Sequence, residues 1–239
     1  MDLKCLRGQN NDYKLKGKEI LAWHHNATRK CNVKYNGQFS YFKNIDDLMQ
    51  CSDEILYFTA HTYLYRPFIN DPLKDAYPFG DHITYPNFQN LEAKRYYMFC
   101  DIVIEKLYNY WDRIGDLIGS FFPESIKHKD VYFARAIDIV PKEFQDNDPF
   151  KWLYKFKDTD YKEINDKRRD VVHYSSSDTE LRHKHIFNSS DRHEIEKWIK
   201  ERNAMPDFSK RQIELTIEGF YQTICLLEII SVEKFKDIE

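Results

Sequence analysis

A chain of 239 residues, 42% of them hydrophobic, is long enough to bury the core of one elaborated domain. Seven glycines against 17 Tyr and 17 Phe make tight turns scarce and large side chains abundant, which disfavours a many-stranded barrel and predicts helices joined by aromatic-packed loops. A formal net charge of −3 excludes a polycation that coats nucleic acid by electrostatics alone, so any phosphate contact must come from a local patch.

Residues 1–44 read as an irregular N-terminal cap. Met1-Asp2-Leu3-Lys4 opens without the apolar core of a signal peptide, and Asn36-Gly37, between Val33-Lys34-Tyr35 and Gln38-Phe39-Ser40-Tyr41, is a hairpin signal. Leu48, Cys51, Ile55, Phe58 and Thr62 recur at helical steps and predict a helix over 45–65. From 66 to 90, Pro67, Pro72, Pro78, Gly80 and Pro86 stand among five aromatics, the composition of a long ordered loop. Phe99, Val103, Leu107, Tyr110, Ile114, Leu117 and Phe121 then mark one seam of a helix over 91–119, whose other side carries Asp101, Glu105, Asp112 and Asp116. Shorter helices are expected near 130–139, 148–156, 160–175 and 191–204, the last with Ile195, Trp198 and Ile199 facing inward. A final strong helix starts at Ser209, which forms a capping box with Gln212, and continues through Ile213, Ile217, Phe220, Ile224 and Leu227. These elements predict an all-α, elaborated antiparallel helical bundle over 45–239 with an irregular N-terminal extension and one small hairpin.

Five cysteines, at 5, 31, 51, 100 and 225, are odd in number, scattered and free of any Cys-x-x-Cys pair, as in a reducing, cytoplasmic setting. No stretch reads as a membrane span of roughly 20 apolar residues, so no membrane partner is expected.

The segment Lys167-Arg168-Arg169-Asp170-Val171-Val172-His173-Tyr174 carries the most chemistry. Tyr161, Ile164, Arg168 and Val171 follow one helix face, which puts Arg168 where a core residue belongs. A guanidinium keeps its charge and is costly to bury unpaired, so that position calls for a carboxylate, a groove or a subunit interface. His173 can give or take a proton near neutral pH. From Lys162 to Arg192, seven Lys and Arg face six Asp and Glu, enough for a modest phosphate site and too few for a long basic track. Five residues of α-helix turn about 140° past one revolution, so Arg168 and His173 converge if the helix breaks near His173, if the arginine reaches around, or if two subunits share the site.

Arg-x4-His with a polar residue, Arg169, after the arginine resembles the motif of the HEPN family, small helical bundles that include many metal-independent ribonucleases and others that have lost catalysis and serve in RNA binding or regulation. The resemblance implies a homodimer with a composite site, Arg168 and His173 as catalytic residues, and Lys167, Arg169 and Tyr174 as contacts to RNA. It implies no cofactor and no metal. His173 would move the proton of a ribose 2′-hydroxyl or of the leaving oxygen while Arg168 stabilises the phosphate's growing charge. A toxin or defence role would add a neutralising, antitoxin-like protein partner. Some members carry a tyrosine two residues after the histidine; here that place is Ser175 and the tyrosine is the adjacent Tyr174.

Asp112 and Asp116 are expected to support the site by pairing with Arg168 or Arg169, although such a row also reads as a solvated face. His183-Lys184-His185 and His193 lack the spacing of a zinc site and read as a polar loop. The clusters Tyr57-Phe58, Tyr96-Tyr97 and Tyr108-Tyr110-Trp111 read as core rather than as base-stacking platforms. Gly-x-Gly-x-x-Gly, Walker, Gly-x-Ser-x-Gly and His-Glu-x-x-His signatures are absent from the sequence. The competing reading is a non-catalytic dimerisation or protein-interaction module in which the 66–90 loop binds the partner.

Overall fold

The computed structural model describes residues 14–19, 22, 29–31, 41–86, 90–173, 176–187 and 190–237. In chain order these form β1 (Lys14–Leu15), β2 (Lys18–Glu19), α1 (Tyr41–Tyr65), β3 (Tyr77–Phe79), β4 (His82–Thr84), α2 (Leu91–Gly119), α3 (Phe133–Asp138), α4 (Asp148–Asp158), α5 (Asp160–His173), α6 (Ser177–Phe187) and α7 (Arg192–Lys234). The fold is an all-α helical bundle, as the composition predicts. The chain divides into two compact units, one of residues 1–49, 111–159 and 215–239, the other of 50–110 and 160–214. The unit boundaries at 49, 110 and 214 fall inside α1, α2 and α7.

In the first unit, Trp111 is fully buried, its ring 4.0 Å from that of Phe156 and 4.9 Å from that of Phe133. Trp152 stacks on Phe156 at 5.4 Å. A Cβ on Gly115 would meet the backbone nitrogen of Phe133 at 2.7 Å, so only glycine lets α2 approach the start of α3 this closely. One turn earlier, Asp112 accepts the Phe133 N–H at 3.4 Å, satisfying a donor that the first turn of α3 cannot bond internally. Asn147 caps α4 by accepting the Phe150 N–H at 2.8 Å. The β1–β2 hairpin turns at Lys16 and Gly17, both with positive φ, as tight two-residue hairpins require.

In the second unit, α2 starts with Asn90 accepting the Ala93 N–H at 2.8 Å. The face that follows buries Ala93, Tyr96, Tyr97 and Cys100, against which Tyr65, Ile69 and Met205 pack. Phe99 lies 5.9 Å from Phe58 and 5.6 Å from Tyr65. Tyr63 of α1 donates its hydroxyl to Asp207 of α7 at 2.7 Å, and burial together with that bond pushes the phenol up to about 12. The seam read from sequence is correct in Val103, Leu107 and Tyr110, and the helix also buries a second stripe of Tyr96, Cys100 and Ile104.

Several elements differ from the sequence reading. The two helices expected over 191–204 and from Ser209 onward are one, α7, which carries Pro206 in its interior. A proline there leaves the carbonyl four residues back, that of Arg202, without its helical donor. The buried hydroxyl of Tyr96 donates to it instead. Ser209 therefore caps nothing: its hydroxyl bonds the Met205 carbonyl at 3.0 Å, one turn back in the same helix. The 66–90 segment contains a 3-10 turn at Arg66–Phe68 and the β3–β4 hairpin, turned at Gly80 with φ 61°. The hairpin signal at Asn36-Gly37 lies outside the described residues. Contrary to expectation, α7 includes an 18-residue stretch apolar enough by length and composition to cross a membrane. Its Ile224, Leu226, Leu227 and Ile230 are fully buried in the protein, Ile229 and Val232 are exposed, and 44% of the stretch is buried.

Candidate functional site

The site is built on α5, in the second unit. Asp160 and Glu163 occupy its first turn, where carboxylates complement the helix dipole. Tyr161 and Ile164 are buried, and Arg168, two turns beyond Tyr161 on the same stripe, is half-buried. The guanidinium of Arg168 lies over the ring of Tyr108 from α2, 4.5 Å from its centre. Tyr108 in turn stacks on Tyr161, centroids 6.1 Å apart and planes 22° from parallel.

Three nearby cations are matched to carboxylates. Arg169 pairs with Asp166 at 3.1 Å, and Lys167 with Glu163 at 4.0 Å. Arg211 of α7 bridges Glu163 at 2.7 Å and Asp160 at 3.2 Å. Lys167 and Arg211 also flank the ring of Phe208, at 5.0 and 5.6 Å. Among the described residues, Arg168 has no ion pair or hydrogen bond, so all five of its donors remain available. A guanidinium so placed, over a ring and with its donors uncommitted, can receive an oxyanion.

α5 remains helical through His173 and ends there. Positions 168 and 173 are therefore about 140° apart around the helix axis. The His173 side chain and the whole of Tyr174 lie outside the described residues. Just beyond, Ser176 accepts the Thr179 N–H at 3.3 Å to start α6, and Asp101 of α2 accepts both the hydroxyl and the N–H of Ser177. Asp101 thus anchors the chain four residues after His173.

Asp112 and Asp116 belong to the first unit, where Asp112 holds the Phe133 N–H and Asp116 accepts from Arg113 at 3.0 Å. The same Arg113 lies 3.7 Å from Asp47. His183-Lys184-His185 is part of α6 and not a loop. His185 is buried, bonds the carbonyl of Tyr85 and meets the ring of Trp198 edge-on at 5.2 Å. Arg202 covers that Trp198 ring at 4.7 Å and donates to the Asn70 carbonyl at 2.9 Å. Among the described residues, no three His, Cys, Asp or Glu side chains are grouped to hold a metal.

Sequence reasoning missed Tyr108, Arg211 and Asp101 as parts of this site. The cluster Tyr108-Tyr110-Trp111 reads as core, which is right for Tyr110 and Trp111. The helical phase of Tyr108, two residues short of Tyr110, was the available signal that it faces elsewhere.

The model of a family described as Cthe2314-like HEPN matches residues 40–227. The chain belongs to the HEPN family. The match spans α1 through most of α7, so both units of this HEPN domain fall within it. Neither a curated protein nor a solved structure matches the chain.

Proposed function

We propose that this HEPN domain is a metal-independent endoribonuclease that acts as a homodimer, with Arg168 holding the scissile phosphate and His173 moving the proton. The observation that carries this reading is the half-buried Arg168 guanidinium, lying over the Tyr108 ring and without a carboxylate among the described residues, while Lys167, Arg169 and Arg211 near it are paired. In the reaction, the ribose 2′-oxygen attacks phosphorus as its proton passes to a histidine. The bond to the 5′-oxygen breaks, that oxygen takes up a proton, and the products end in a 2′,3′-cyclic phosphate and a 5′-hydroxyl. Arg168 meets the charge that grows on the non-bridging oxygens. Because positions five apart on an α-helix are about 140° apart around its axis, this reading takes the histidine that serves a given Arg168 from the second copy. Lys167, Arg169 and Tyr174 extend the contact along the RNA backbone, and a neutralising, antitoxin-like protein would hold such an activity in check.

The test is incubation of end-labelled RNA with wild-type, Arg168→Ala and His173→Ala protein in EDTA. Cleavage by wild type alone, leaving 2′,3′-cyclic phosphate ends, is the expected result. If all three proteins are folded and inert, the nuclease reading is wrong. A second reading, a protein-interaction module, is favoured by the β3–β4 hairpin, where Phe79 is 72% and Ile83 54% exposed. Inert proteins that still dimerise would support it.

A further inference from the structure

We infer that Tyr108 is a positioning residue for Arg168: backed by Tyr161, its ring seats the guanidinium face-down so that the donor edge is presented to an RNA phosphate. This rests on the reading of Arg168 as the phosphate contact.

The geometry starts from helix periodicity. Residues seven apart stand almost directly above one another, offset by about 20°, and about 10.5 Å apart along the axis. Tyr161 and Arg168 are such a pair. The 6.1 Å from Tyr161 to Tyr108 and the 4.5 Å from Tyr108 to Arg168 together fill that interval. Tyr108 is therefore a wedge from α2 between two turns of α5, with a ring on one side and a cation on the other.

The choice of partner has a chemical consequence. A carboxylate would hold Arg168 in place by occupying the donors that an oxyanion needs. An aromatic face attracts the cation through its quadrupole and engages only the flat side of the guanidinium, while the five N–H groups lie in the plane around its rim. In that seating one face of the guanidinium is dehydrated and no donor is used. This also accounts for an arginine on an otherwise apolar stripe: the ring covers it as it would cover a leucine.

Fluorescein-labelled single-stranded RNA is the probe, with anisotropy as the binding readout. Expected results are that Arg168→Ala weakens binding, that Tyr108→Phe retains wild-type affinity, and that Tyr108→Leu loses about fivefold, in the range for an aromatic–guanidinium contact. The double variant Tyr108→Leu with Arg168→Ala should bind no more weakly than Arg168→Ala alone, because Tyr108 acts through Arg168. Phenylalanines carrying one, two and three fluorines at position 108 preserve shape while draining the ring's negative face. Affinity should fall stepwise along that series, which a merely structural tyrosine would not produce, and the series serves even if Tyr108→Leu fails to fold. A flat fluorine series, or full additivity in the double variant, overturns the inference while leaving Arg168 as the phosphate contact. Wild-type binding by Arg168→Ala overturns the phosphate reading and the inference together.

Discussion

At the scale of single residues, the side chains whose environment departs from their type are the ones whose behaviour can be forecast. Gly219 is buried in α7 with the Trp111 ring against it; a Cβ there would come within 2.2 Å of the ring edge. Gly219→Ala raises helix propensity by about 1 kcal/mol, but the overpacking outweighs it, and a net loss of about 1–3 kcal/mol is expected in urea unfolding. An unchanged midpoint would mean that Trp111 has room to move. His185 offers a pH test. Burial, with the neighbouring Arg202 charge adding to it, holds its pKa below the ordinary 6.5, while the bond to the Tyr85 carbonyl opposes that shift. The unfolded chain therefore binds the proton more readily, so the stability tied to neutral His185 is complete above pH 6.5 and declines as pH falls below it. Melting temperature should drop between pH 7 and 5, and His185→Gln, which can still donate to Tyr85, should flatten that part of the slope. Arg168 and His185 also mark what a sequence discloses about residues. Arg168 stood out because a charge interrupted an apolar stripe, yet its partner Tyr108 lies sixty positions away and no local pattern joins them. His185 hid for the complementary reason: a polar residue in a core position erased the periodicity that would have announced α6.

At the scale of elements, α2 was legible to the residue at both ends because a long apolar seam is framed by Asn90 and by the Gly119 region. α7 was not, since Pro206 and a Ser209/Gln212 pair together imitate a stop followed by a start. What overrides that local grammar is tertiary: the Tyr96 hydroxyl replaces the donor that Pro206 lacks. Tyr96→Phe should accordingly cost about 1–3 kcal/mol, the penalty for a buried carbonyl left unsatisfied. Adding Pro206→Ala should recover much of that loss in the Tyr96→Phe background and little in wild type, because the new N–H is useful only when Arg202 lacks its substitute donor. Equal effects in both backgrounds would sink this account. The short hairpins were unreadable for another reason, since strands of two or three residues are too brief to show alternation.

At the scale of the whole molecule, the all-α class followed from few glycines and long helical seams, whereas the division into two units did not, because three of its four boundaries cut through α1, α2 and α7 and only the one at 159/160 falls between helices. The divergence of Arg168 and His173 on α5 carries a prediction about assembly. If each site takes its arginine from one copy and its histidine from the other, mixing inactive Arg168→Ala and His173→Ala proteins creates mixed dimers in which one of the two sites has both residues. With random exchange, half the dimers are mixed and RNA cleavage should return to about a quarter of the wild-type rate. A mixture as inactive as its components would instead require both residues of one chain to serve one phosphate.

Trp198 lies between a buried histidine and a buried arginine, and it is one of only four tryptophans, the others being Trp23, Trp111 and Trp152. A protonated imidazole in edge contact with an indole quenches its emission. The protein thus contains its own optical titration indicator, and the fluorescence of Trp198, isolated by replacing the other three with phenylalanine, would report the ionisation of His185 directly and without a label.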